Sequence, residues 1–214
     1  MKIRATLCVS LLAFGMTTLA HADGIQAIAW SVPASTADTV PPPGPGIPGP
    51  GAVEWATFTA NTIDFNVNGN YTLGSFLTSN GNANNISYMN SAGAGTSMDN
   101  VLFQFTGTAN FVNGTTYTLA DDDGVNLYVD GEQIYSSPGT QGASTQTLTY
   151  NGPTGTFSFD FTYANGPCCG AQFTTNLVNG GNLVNPPTVP EPSSILLLGS
   201  GLLTTAGFLR RRLA

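Results

Sequence analysis

From Val53 to Leu177 the chain repeats one texture: short runs of Thr, Phe, Tyr and Val, broken by Asn-Gly, Gly-Asn and Pro turns. Apolar and polar residues alternate most clearly at Phe103/Phe105, Phe157/Phe159/Phe161 and Val125/Leu127/Val129, which marks half-buried strands rather than helices. The pattern predicts strands at Val53–Ala60, Thr62–Val67, Tyr71–Thr78, Val101–Gly107, Thr115–Ala120, Val125–Val129, Gln133–Tyr135, Thr145–Tyr150, Gly155–Tyr163 and Ala171–Leu177. No amphipathic helix is expected between Val53 and Asn185. Asn113-Gly114 and Asp130-Gly131 sit at hairpin spacing. About ten short strands at such intervals argue for an all-β fold, an antiparallel β-sandwich. The Phe ladder then reads as core.

The flanks differ from this middle. Gly24–Trp30 reads as an edge strand, and Pro41–Gly51 as an extended, semi-stiff linker. Asn80–Asn100 has few large apolar residues and reads as a long, exposed loop with at most a short strand around Tyr88. Residues 1–22 carry Lys2 and Arg4, an apolar run and Ala20-His21-Ala22, the layout of a cleaved signal peptide. Residues 195–209 form a second apolar run, ended by Arg210-Arg211-Arg212, and predict a single transmembrane helix with the arginines on the cytoplasmic side. The expected organisation is a signal peptide at 1–22, an N-terminal segment and linker at 23–51, a sandwich at 52–185 and a membrane-directed tail at 186–214.

Charge sharpens this reading. All five Lys and Arg residues and the single His lie in the two terminal segments, so the region between has no cationic side chain. That argues against nucleic-acid binding by phosphate neutralisation. It also excludes His-based triads, imidazole-ligated metals and P-loop chemistry. Carboxylates without counter-charges suit one partner best, a hard cation with oxygen ligands such as calcium. They concentrate at Asp121-Asp122-Asp123-Gly124, which precedes Val125–Val129 and a second Asp-Gly turn. An EF-hand is excluded, because Val125 stands at a ligand position and no Glu closes the loop.

Two resemblances follow from these residues. Pro190-Glu191-Pro192, an apolar helix and Arg210, Arg211 and Arg212 resemble the PEP-CTERM sorting signal of Gram-negative bacteria. It implies export, a transient anchor in the inner membrane, recognition by an exosortase, and delivery to the cell surface or extracellular matrix. The phrase Asp-Asp-Gly-x-x-Leu-Tyr-Val-Asp-Gly at Asp122–Gly131 resembles the protective-antigen-type (PA-14-like) β-sandwich domain of toxins, glycosidases, flocculins and epithelial adhesins. In its lectin branch the paired aspartates, here Asp122 and Asp123, share a cis peptide and ligate calcium. The second half of that signature resembles Tyr163-Ala164-Asn165-Gly166-Pro167-Cys168-Cys169-Gly170. It implies metal ligation by the Asn165 side chain and the carbonyls of Pro167 and Cys169, with Asp121 and Asp130 as solvated bystanders.

The resulting expectation is a secreted, non-enzymatic carbohydrate-binding adhesin for exopolysaccharide or a cell-surface glycan, acting through calcium. Tyr128, Tyr163, Cys168 and Cys169 are the expected sugar contacts. Cys168 and Cys169 can form a vicinal disulfide, bridge to another chain or remain thiols; the vicinal bridge is favoured, although adjacent cysteines fit disulfide geometry poorly. A structural biofilm-matrix protein without a sugar site is the alternative. A glycosidase drawing on Asp64, Asp99 and Asp160 is the third reading, and nothing in the sequence pairs those carboxylates.

Overall fold

A computed structural model of the chain describes residues 24–184 apart from 45, 46, 70, 168, 169 and 179–181. The expected signal peptide, the transmembrane helix, the sorting signal with its arginines, and Cys168 and Cys169 lie outside the described residues. Two antiparallel sheets face each other. The larger is built from β4 (Ala83–Tyr88), β2 (Val53–Ala60), β1 (Ile25–Ser31), β5 (Val101–Phe111), β10 (Gly155–Asn165), β7 (Gly124–Val129) and β8 (Glu132–Ser137), in that spatial order. The smaller runs β3 (Ile63–Asn68), β11 (Gly170–Thr175), β6 (Thr116–Asp122) and β9 (Ser144–Thr149).

Alternation decides which side chains lie between the sheets. Phe103 and Phe105 on β5 and Phe159, Phe161 and Tyr163 on β10 point inward, against Phe65 on β3 and Phe173 on β11. Tyr163 stacks on Phe173 at 5.0 Å between ring centroids, and Phe105 lies 5.3 Å from Phe173. The ladder is core, as its period requires.

Several expectations are corrected. Ile25–Ser31 is not an edge strand: it sits between β2 and β5 and pairs with both, so the domain begins near residue 24 rather than 52. The Pro-rich stretch after it is no free linker. A short helix α1 (Ala34–Thr39) and the residues that follow lie against the outer face of the larger sheet, where Val32, Ala37 and Val40 pack with Trp30, Leu102 and Ala164. Asn126 Nδ2 donates to Val40 O at 2.6 Å, and Thr162 Oγ1 to Pro41 O at 2.8 Å. Two backbone carbonyls of a chain that cannot join a ladder are thereby satisfied.

Tyr71–Thr78, read as a strand, contains helix α2 (Leu73–Leu77). Thr72 and Ser75 form a reciprocal capping box, and Leu73, Phe76 and Leu77 fall at the i, i+3, i+4 spacing of one buried helical face. The Asn80–Asn100 segment contributes β4, and its later part is pinned to α2 by Leu73 N–H to Thr96 O (2.7 Å) and Gly74 N–H to Ala94 O (2.9 Å). Asp130-Gly131 does close a hairpin, β7 to β8, with both residues at positive φ. Asn113-Gly114 does not: β5 and β6 belong to different sheets.

Candidate functional site: an acidic corner between the two sheets

The three aspartates make a corner rather than a hairpin. β6 ends at Asp122 in the smaller sheet and β7 starts at Gly124 in the larger one, leaving Asp123 alone to cross between layers. The Asp122–Asp123 peptide is cis, as the resemblance implied. The chain crosses again beside it, from β10 in the larger sheet to β11 in the smaller. Pairing fixes the two crossings against each other: Gly124 opposes Ala164, and Asp122 opposes Gln172. Asn165 therefore arrives next to Asp123 although the two are far apart in sequence.

Each member of the corner is held by the others. Gly166 N–H donates to Asp123 Oδ2 at 2.5 Å, and Gln141 N–H to Asp123 Oδ1 at 3.1 Å. A Cβ on Gly166 would stand 3.0 Å from that Asp123 oxygen, so glycine lets the backbone approach the carboxylate. The hydroxyl of Tyr163 donates to the backbone oxygen of Asp122. Asn165 is fully buried, and its Nδ2 donates to Met98 O and to Gly166 O, both at 2.9 Å. Turning the amide over would set its oxygen against those two carbonyls, so the orientation is fixed. Its Oδ1 is then a buried acceptor with no partner among the described residues.

Burial first, and then the Asp123 charge, push the Asp122 carboxyl above its ordinary range, against a hydrogen bond from the Ala143 backbone. Asp121 departs from the expectation of a solvated bystander. It is fully buried, and burial raises its pKa to about 6, opposed by a 2.6 Å hydrogen bond from Gln141 Nε2. Inward-facing positions of β6 alternate through Tyr117, Leu119 and Asp121, which explains why this carboxylate lies inside. Asp130 turns the β7–β8 hairpin and is exposed.

Gln141 went unnoticed in the sequence, where it is one polar residue in a polar turn. The two hydrogens of its Nε2 are shared among Asp121 Oδ2, Asp123 O at 2.8 Å and Ser137 Oγ at 3.1 Å, which makes it the brace of the corner.

The corner fits a hard cation. Asp122 and Asp123 supply carboxylates and Asn165 an orphaned amide oxygen, all hard oxygen donors. Among the described residues no three His, Cys, Asp or Glu side chains form a metal cluster, so the further ligands would have to be amide or carbonyl oxygens. Pro167 follows Gly166 on the exposed surface. The carbonyl of Cys169 and the proposed Cys168–Cys169 bridge fall outside the described residues.

Two expected sugar contacts are corrected. Tyr163 is fully buried beneath the corner and presents no ring to solvent. Tyr128 lies four residues along β7 from Gly124, roughly 13 Å at strand spacing, in an outer groove with Pro43, Thr106 and Asp160. Two exposed polar side chains among the described residues flank the corner, Asn68 and Thr140: Asn68 Oδ1 and Asp122 Oδ2 both border Gly170, and Thr140 borders Gly166 beside Asp123. Of the three carboxylates in the glycosidase reading, Asp64 and Asp160 lie on opposite outer faces of the sandwich and do not form a pair.

The fold is that of a PA14 domain. The PA14 domain of the MpAFP antifreeze protein matches with a TM-score of 0.54 and 18% identity, covering 78% of this chain and 93% of that one. A PA14 sugar-binding domain from an RTX adhesin matches at 0.43 and 20% identity, over 75% of this chain and 99% of that one. The A domain of epithelial adhesin 6 from Candida glabrata, in complex with Galb1-3GlcNAc, matches at 0.42 and 10% identity, over 78% and 89%. A search of curated proteins found no match.

Outside the sandwich, residues 188–212 match the PEP-CTERM protein-sorting motif. That motif implies export, a C-terminal membrane anchor before sorting, and processing by an exosortase. Among the described residues no helix is long and apolar enough to cross a membrane.

Proposed function

We propose that this protein is a surface-sorted, non-enzymatic carbohydrate-binding module whose acidic corner holds calcium through Asp122, Asp123 and Asn165. The observation that carries the reading is the buried Asn165 Oδ1, fixed in orientation and without a partner among the described residues, next to the Gly166 N–H that meets the Asp123 carboxylate, in a region lacking any Lys, Arg or His. A buried acceptor left unsatisfied costs about 1–3 kcal/mol; a cation at the corner removes that cost and the repulsion between the aspartates together. When bound, calcium would offer open coordination positions to a pair of sugar hydroxyls.

The sugar half of the proposal draws on the resemblance to the lectin branch and on the surface sorting, which brings the domain to exopolysaccharide or to a neighbouring cell's glycans. Asn68 and Thr140 replace the two tyrosines as the rim side chains in hydrogen-bonding reach of a ligand at this corner. A glycan array probed with calcium and with a chelator tests the reading. Binding in calcium that disappears in chelator is expected. Binding that the chelator leaves intact, or binding to no glycan in either condition, contradicts it.

A further inference from the structure

A sandwich of two open sheets has four edges, and each edge strand exposes backbone groups that another strand can use. Three edges here are guarded. On β3, Asp64 O accepts from Asn80 Nδ2 at 3.1 Å and from Asn82 Nδ2, and Asn66 N–H donates to Ser79 Oγ at 3.0 Å, so the segment after α2 covers it. On β4 the pairing with β2 shifts register between Thr57 and Thr59, and Asn85 sits at positive φ. On β8 the pairing with β7 shifts between Leu127 and Tyr128, and the strand opens with a charge, Glu132. Bulges, charges and covering segments are the recognised protections of an edge.

Among the described residues, the fourth edge, β9, has none of them. Ser144–Thr149 pairs with β6 over six consecutive residues without a register shift, and it contains no charge, no proline and no glycine. Its free backbone groups can be assigned. Asn176 N–H donates to Thr118 O, and Thr118 N–H donates to Asn176 Oδ1, so the backbone of Thr118 faces away from β9. Thr147 stands opposite Thr118, in a pair that exchanges no hydrogen bonds. The N–H and C=O of Thr147, and by alternation those of Thr145 and Thr149, therefore point out of the sheet edge. The same three side chains are exposed on the outer face.

We infer that β9 is an assembly edge whose partner is β9 of a second copy of this chain, related by a two-fold axis through Thr147. This inference is independent of the calcium and sugar reading. Antiparallel pairing keeps side chains on their own faces only when residues of the same parity oppose each other. With Thr147 opposite Thr147, Thr145 opposes Thr149, and every outward N–H and C=O of those residues finds a partner across the axis. The smaller sheet then continues through both copies, with Thr145, Thr147 and Thr149 of each on one face of the seam. Charge argues for a second copy at this edge rather than elsewhere. The described domain carries carboxylates and no basic side chain, so two copies repel except where a charge-free strip lets them meet. An isologous contact of this kind closes as a dimer.

The test is sedimentation of the full chain in detergent over a range of concentration, with two variants and with hydrogen exchange. Thr147→Pro removes an outward N–H without touching the ladder to β6. Thr147→Glu, a solvent-facing change, sets two like charges directly opposite across the axis. Expected are a dimer in the parent chain, a monomer in both variants at the same concentration, and dimer-dependent protection of the amides of Thr145, Thr147 and Thr149. If Thr147→Pro does not fold, Thr147→Glu decides alone. A parent chain that stays monomeric, or a Thr147→Glu variant that dimerises like the parent, overturns the inference.

Discussion

At the scale of single residues, the two aspartates of the corner differ in how the fold holds them. Both carboxylate oxygens of Asp123 accept backbone N–H groups, from Gly166 and Gln141, so Asp123 closes the corner as well as offering charge. The Asp122 carboxylate is more open and meets the Ala143 backbone. Asp123→Asn, which sets an amide against two donors, is expected to cost about 1–3 kcal/mol even in chelator. Asp122→Asn removes its repulsion with Asp123, so it should hold or raise the chelator melt and remove the increment that calcium adds. Thermal melts of both variants, with calcium and with chelator, check the split. Equal behaviour of the two variants contradicts it.

A carboxylate far from the corner sets a pH dependence. Asp160 sits on the outer face of the larger sheet, and burial raises its pKa to about 6 against a 2.8 Å hydrogen bond from Gln104 Nε2. Between the unfolded value near 4 and the folded value, the folded state binds more protons, so this group's contribution falls as pH rises through that window. Below the window it costs nothing. The carboxylate is partly exposed, so the effect is discounted for solvent screening to ~1 kcal/mol. Asp160→Asn is expected to raise the melting temperature at pH 7 by roughly 2–4 °C and to leave it unchanged near pH 4. A gain of equal size at both values would assign the effect to packing instead of charge.

At the scale of elements, the strands with clean alternation were legible: Phe103/Phe105, Val125/Leu127/Val129 and Phe157–Phe161 all lie where period two placed them. The pattern of β1 alone does not say how many neighbours the strand pairs with, so an edge and an interior strand look alike there. The chain after β1 leaves the sheet, and Val40 and Pro41 lie over its outer face. α2 was missed because Leu, Phe and Leu at helical spacing sit in a run rich in Thr and Ser, where a single helical turn leaves little periodic signal. The strap over the larger sheet depends on Asn126, a buried amide inside an otherwise apolar strand. Asn126→Ala leaves Val40 O unpaired and is expected to cost about 1–3 kcal/mol. Proteolysis should then cut within residues 33–52 before it cuts the sandwich. An unchanged cleavage pattern and melt would show that the apolar contacts of Val40 and Ala37 hold the strap unaided.

At the scale of the whole molecule, the two-layer fold followed from strand number and spacing. The convergence of Asp122, Asp123 and Asn165 did not follow from the residues alone. It depends on both crossings, β6 to β7 and β10 to β11, falling at one end of the sandwich, a fact of topology that no local pattern carries. The resemblance to PA14 domains supplied it. The two tyrosines expected as sugar contacts lie elsewhere in the packing, because a tyrosine on an alternating strand has the same pattern whether it faces core or solvent. Gln141 and the burial of Asp121 came only from the structure.

The central claim is that the acidic corner binds calcium, and a binding partner of the native state stabilises it by mass action. At a free calcium concentration a hundredfold above Kd the gain is about 2.7 kcal/mol, roughly 5–10 °C in melting temperature for a domain of this size. The most direct measurement is the thermal melt of the full chain in detergent, in excess calcium and in excess chelator. A rise of that order in calcium, absent for magnesium at the same concentration, is the expected result; melts that coincide in calcium and chelator would contradict the account.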